Sequence, residues 1–184
     1  MFCYYYFDIE TVPLDQYREE PHASLDPSKA KIITIQYQPL DTATGRPRGD
    51  LTILKEWEFG SEKALIERFR PMYVPDVWAF VAVGNNLSFE CKFLKYKLQQ
   101  YCNLSNLKLG QRPMIDVKPV LILRNRGRFK GCTECIGKIG LARNIAGWYW
   151  NRNYGAILDY IQKEAQDFIH AYMAMKREIP KIQF

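Results

Sequence analysis

Two carboxylates sit inside an apolar run near the start of the chain: Asp8 and Glu10, within Tyr4-Tyr5-Tyr6-Phe7-Asp8-Ile9-Glu10-Thr11. Aromatic and β-branched residues dominate the run, so it reads as a buried strand. Residues two apart on a strand point the same way, which sets both acids on one face, about 7 Å apart along the strand. Like charges beside an apolar wall cost free energy unless something positive compensates them. A divalent cation does so, because hard cations prefer carboxylate oxygens. The competing reading is a strand end that emerges into solvent, with both acids hydrated.

Two further groups extend the pattern. Glu90 follows the turn Gly84-Asn85-Asn86 and opens a helical stretch. An acid just past the end of a buried strand lies where α/β folds put their sites, although a first-turn acid also pairs with the helix dipole. Tyr160 and Glu164 stand four apart in the last helical stretch and share one of its faces, which is otherwise an ordinary solvated face. Asp116, Asp159 and Asp167 are candidates for supporting acids.

The elements that must position these residues follow from pattern and punctuation. After the first strand, residues 13–29 read as a loop, residues 31–38 as a second strand, residues 39–50 as turns and residues 51–59 as a third strand. Ser61 is placed to cap a helix that Pro71 and Pro75 bring to a stop. Val77-Trp-Ala-Phe-Val-Ala-Val83 is nearly all apolar and predicts a central strand covered on both faces. Residues 89–101 predict a helix, residues 114–117 a short strand, and Pro119 suits the first turn of another helix. From Arg124 to Arg152 the chain is basic, rich in glycine and expected to be irregular. Residues 156–177 predict a long amphipathic helix with Ile157, Ile161, Phe168 and Tyr172 inward. The sum is one domain over residues 1–184, an α/β fold on a mixed sheet with helices on its faces.

The net charge of +6 suits a polyanionic partner. No apolar run approaches the roughly 18 residues of a membrane helix, so no membrane association is expected. With no secretory leader in view and five cysteines, an odd count, a reducing, cytoplasmic setting is expected. Cys132 and Cys135 form a lone C-x-x-C and read as ordinary thiols rather than half of a zinc site. Arg124-Asn-Arg126-Gly-Arg128-Phe-Lys130 has the form of a phosphate-binding stripe with an interleaved aromatic, or of a solvated basic loop. Trp148-Tyr149-Trp150 reads either as a surface that stacks bases or as packing beneath the last helix.

Taken together, three motifs resemble those of the acidic-tetrad 3′-5′ exonucleases. Phe7-Asp8-Ile9-Glu10-Thr11 looks like their first motif, Gly84-Asn85-Asn86-Leu87-Ser88-Phe89-Glu90 like the second, and Tyr160-x-x-x-Glu164-Ala165 like the third motif of the tyrosine branch. That branch includes the proofreading exonuclease domain of family B DNA polymerases, and the motifs span nearly the whole chain in the right order. The resemblance implies a ribonuclease H-like three-layer fold with about five strands and helices on both faces. It also implies a free-standing hydrolase acting on the 3′ end of single-stranded nucleic acid, DNA favoured over RNA.

Two ions, Mg²⁺ or Mn²⁺, would then be held by Asp8, Glu10, Glu90 and Glu164, with Tyr160 orienting the attacking water. A phenol, with a free pKa near 10, is a poor base. Asn85, Asn86 and Phe89 would contact the terminal nucleotide, and Arg124, Arg126, Arg128 and Lys130 its backbone. Glu90 and Glu164 depart from the family's usual Asp by one methylene each, keeping the charge and the oxygen donors. The alternatives are a catalytically weak or inactive nucleic-acid-binding module on the same fold, and an interaction protein that docks an acidic partner on residues 124–152.

Overall fold

The computed structural model of the chain describes residues 3–104, 112–124, 126–127 and 144–179. Five strands form one mixed sheet in the order β3-β2-β1-β4-β5. They are β1 (Tyr4–Pro13), β2 (Ala30–Leu40), β3 (Thr52–Lys55), β4 (Val81–Gly84) and β5 (Met114–Asp116). β1 is antiparallel to β2 and β2 to β3, whereas β4 runs parallel to both β1 and β5. The six α-helices among the described residues are α1 (Glu56–Phe59), α2 (Glu62–Tyr73), α3 (Ser88–Cys102), α4 (Lys118–Arg124), α5 (Ile145–Trp150) and α6 (Tyr154–Glu178).

The alternation along β1 divides the core. Phe7 and Ile9 point to one side, where Leu65, Ile66 and Phe69 of α2 and Phe93, Leu94 and Leu98 of α3 cover them. Tyr6 points to the other, against Phe168 of α6, with Val83 of β4 and Leu121 of α4 in the same cluster. Val12 shares that side with Ile145, Tyr149, Ile157 and Ile161. Helices therefore cover both faces of a five-stranded mixed sheet, the architecture that the ribonuclease H-like resemblance implies.

The pairing of β1 with β2 carries a bulge. Glu10 pairs with Thr34 but Thr11 pairs with Ile32, so Ile33 is the extra residue on β2. The bulge explains why Ile33 packs with α5 and α6 while Ile32 and Ile35 face α2 and α3. It also keeps Thr34 and Gln36 on the Asp8 and Glu10 side of the sheet, since directly paired residues share a face.

Two buried polar networks lock the helices down. Glu62 accepts the N–H of Ile32 and the hydroxyl of Tyr101, both at 2.7 Å. Lys97, its Nζ 3.2 Å from that carboxylate, donates to the carbonyl of Ala30 at 2.6 Å. Burial pulls the Lys97 pKa down against the upward pull of Glu62. On the other face, Tyr149 donates to Glu56 at 2.6 Å, and Lys31 donates to Tyr149 at 2.7 Å and to Glu56 at 3.2 Å.

Several sequence expectations need correction. The third strand ends at Lys55, and Glu56–Phe59 is a helical turn closed by Gly60 in the left-handed region at φ 79°. Glu56, at the start of this turn, is held inward by Tyr149 and Lys31. The predicted strand over residues 77–83 begins only at Val81; Val77 and Trp78 are exposed in a turn, where Asp76 accepts the Trp78 N–H at 2.8 Å. Pro71 lies inside α2, which runs on to Tyr73. The stretch expected to be irregular holds α5 at its end. Arg128, Lys130, Cys132 and Cys135 lie outside the described residues.

Candidate metal centre

The acids converge on the α6 side of the sheet. Asp8 and Glu10 come from β1, and Glu164 from α6. Each offers a carboxylate oxygen, and these three oxygens lie within 4.8 Å of one another. All three residues are half-buried. Asp8 accepts the N–H of Ile9 at 3.0 Å and the hydroxyl of Tyr6 at 3.4 Å.

Glu90 enters from the first turn of α3. It is 4 % exposed and lies close enough to Asp8 for the two carboxyl groups to act on each other. Burial raises its pKa well above the usual carboxylate range, with the charges of Asp8 and Asp116 pushing the same way. Its Oε2 is buried without a hydrogen-bond partner. Tyr6, fully buried beneath the group, has its hydroxyl pKa pushed well up by burial and then by the charges of Asp8, Glu10, Tyr160 and Glu90. Tyr160 lies one turn before Glu164 on α6 and is half-buried; its ring packs 6.4 Å from that of Trp148.

The turn that delivers Glu90 is built by Asp116, at the end of β5. Its carboxylate accepts the backbone N–H groups of Asn86 at 2.8 Å, and of Leu87 and Lys118 at 2.9 Å each. Asn86 adopts a left-handed φ of 66°, and its side-chain oxygen accepts from Lys118 Nζ at 2.7 Å. Gly84 is required just before it: a Cβ there would lie 2.8 Å from the carbonyl oxygen of Phe7 and 2.6 Å from Leu87 Cδ2. The absence of a side chain thus lets β4 close on the residue preceding Asp8.

Other residues singled out from the sequence take different places. Asn85 is half-buried in the turn before Asn86. Phe89 packs on Phe93 with centroids 4.7 Å apart, at the edge of the core under α2 and α3. Arg124 and Arg126 are exposed at and just beyond the end of α4. Asp159 is exposed and Asp167 half-buried. Tyr149 is buried by its bonds to Glu56 and Lys31, and Trp150 lies under the Arg18 guanidinium at 3.5 Å, which favours the packing role for both. The sequence reading passed over Thr34 and Gln36, both 0 % exposed, on the strand paired with Asp8 and Glu10. Nothing in an alternating strand sets them apart from ordinary surface residues.

The donor set fits a hard divalent cation. It is made of carboxylate oxygens only, three of them already close enough to share an ion, and a fourth acid holds a buried oxygen that lacks a partner.

No protein-family model matches the sequence, and neither does any curated protein. Among solved structures, the chain is similar to exonuclease I from Methylocaldum szegediense, at 15% identity and a TM-score of 0.46 over 67% of this chain and 30% of that one. It is also similar to exonuclease I in its apo form, at 11% identity and a TM-score of 0.48, over 73% and 34% of the two chains. A third is exonuclease I of E. coli in complex with a dT13 oligonucleotide, at 10% identity and a TM-score of 0.46, over 68% and 29%. The chain thus spans about a third of the length of these proteins.

Proposed function

We propose that the chain is a metal-dependent 3′-5′ exonuclease of the ribonuclease H-like class, of the tyrosine branch, acting on the 3′ end of single-stranded nucleic acid. The observation that carries this reading is the convergence of Asp8, Glu10 and Glu164, whose carboxylate oxygens lie within 4.8 Å of one another, with Glu90 buried beside Asp8. These four acids would hold two Mg²⁺ or Mn²⁺ ions. When bound, such ions supply an activated water and neutralise charge on the leaving oxygen of a phosphodiester.

The chain's own residues do the rest. Glu90, fixed by the Asp116 turn, closes the group on the β4 side, and Glu164 closes it from α6. Tyr160, one helical turn away on the same face, would hold a water by hydrogen bond. The half-exposure of Asp8, Glu10 and Glu164 leaves the group open to an incoming strand end. The net charge of +6, with Arg124 and Arg126 exposed, favours the approach of a polyanion.

The test compares linear and circular single-stranded substrates of the same sequence in Mn²⁺. Stepwise loss of nucleotides from the 3′ end of the linear form, with the circle intact, is expected. Nicking of the circle would mean an endonuclease, and binding without cleavage of either would favour a non-catalytic binding module.

A further inference from the structure

Gln36 is 0 % exposed and lies on β2 directly opposite Asp8; Thr34, also 0 % exposed, lies opposite Glu10. Opposed residues of an antiparallel pair share a face, with Cβ atoms about 5 Å apart. The Thr34 hydroxyl donates to Gln36 Oε1 at 3.0 Å, which orients the amide and satisfies its oxygen. The other end, Gln36 Nε2, is buried with no hydrogen-bond partner. A buried amide donor left unpaired is costly, and such a group calls for an acceptor supplied by a water, an ion, a ligand or a functional state. The residue paired with Gln36 across the two strands is Asp8, whose carboxylate is an acceptor on the same face.

We infer that Gln36, held by Thr34, is a positioning residue that donates its free amide N–H to the Asp8 carboxylate when the centre holds metal. The inference rests on the metal-centre reading above. It gives the bulge at Ile33 a purpose, since the bulge keeps Thr34 and Gln36 on the Asp8 face although Ile32 faces away. Residues that orient metal ligands from behind typically contribute 10- to 100-fold in affinity, and the same order, about 10- to 100-fold, is expected here.

The test is Mn²⁺ affinity, followed by electron paramagnetic resonance, for the wild type, Gln36→Met, Thr34→Val and Asp8→Asn, with thermal melting in chelator as the folding check. Gln36→Met keeps the side-chain length but removes the donor. It should weaken Mn²⁺ binding about 10- to 100-fold while melting in chelator at or above the wild-type temperature. Thr34→Val keeps the donor and should lose less. Unchanged Mn²⁺ affinity in a folded Gln36→Met protein would overturn the inference alone. A wild type that binds Mn²⁺ no better than Asp8→Asn would overturn the metal centre and, with it, this role for Gln36. Should Gln36→Met melt well below the wild type, the amide is structural and the inference fails.

Discussion

The carboxylate of Asp116 accepts the backbone N–H of Leu87 at 2.9 Å, and through that bond the edge strand of the sheet fixes the turn that launches Glu90. Two more N–H groups, of Asn86 and Lys118, converge on the same side chain. Hydrogen bonds to a charged acceptor are the stronger kind. Asp116→Ala is therefore expected to cost about 2–3 kcal/mol of stability, the upper part of the range for such groups. It should also lower divalent-metal affinity by releasing Glu90. Urea unfolding and a Mn²⁺ titration of the same variant check both parts.

Gly84 makes a sharper prediction. A methyl at this position meets the Phe7 carbonyl, which belongs to the central strand and cannot retreat, as well as the Leu87 side chain. Overpacking of this kind costs about 1–3 kcal/mol. Gly84→Ala should unfold at lower urea than the wild type, and its loss of metal affinity should exceed that of a surface substitution of equal stability.

The turn between β2 and β3 predicts a pH effect of definite sign. The N–H and hydroxyl of Thr44, and then the Arg48 guanidinium, hold the Asp41 carboxyl down at about 2, against 3.8 for the free group. A depressed folded-state pKa gives stability that is fully present above the unfolded value of 3.8 and is lost as pH falls through about 2. Asp41→Asn should therefore melt below the wild type at pH 6, and the gap should close between pH 4 and 2. A gap independent of pH would mean that the ionised carboxylate is not what the turn requires.

The parts of the fold that were legible in the sequence are those whose pattern and punctuation agree. The β1 run, the Gly84-Asn85-Asn86 turn and the stripe of α6 announced the elements on which Asp8, Glu10, Glu90, Tyr160 and Glu164 now stand. That Asp8 and Glu10 share a face followed from strand periodicity; the expectation that Glu90 and Glu164 join them came from the resemblance of three motifs. Other features were decided by tertiary partners. Glu56 leaves the strand pattern where Tyr149 and Lys31, from distant parts of the chain, bind its carboxylate. Val77 and Trp78 look like strand residues by composition, yet Asp76 turns the chain there. A one-residue bulge leaves no local mark, so the register that brings Thr34 and Gln36 beneath the site was invisible until β1 and β2 were paired.

The most direct measurement is digestion of a 5′-labelled single-stranded oligonucleotide, DNA and RNA in parallel, by the wild type and Asp8→Asn, with Mn²⁺, Mg²⁺ or chelator. A ladder that shortens from the 3′ end only when metal is present, and that is absent in a folded Asp8→Asn protein, is the predicted result. Cleavage unaffected by chelator or by Asp8→Asn, or no cleavage with either metal, would contradict the account.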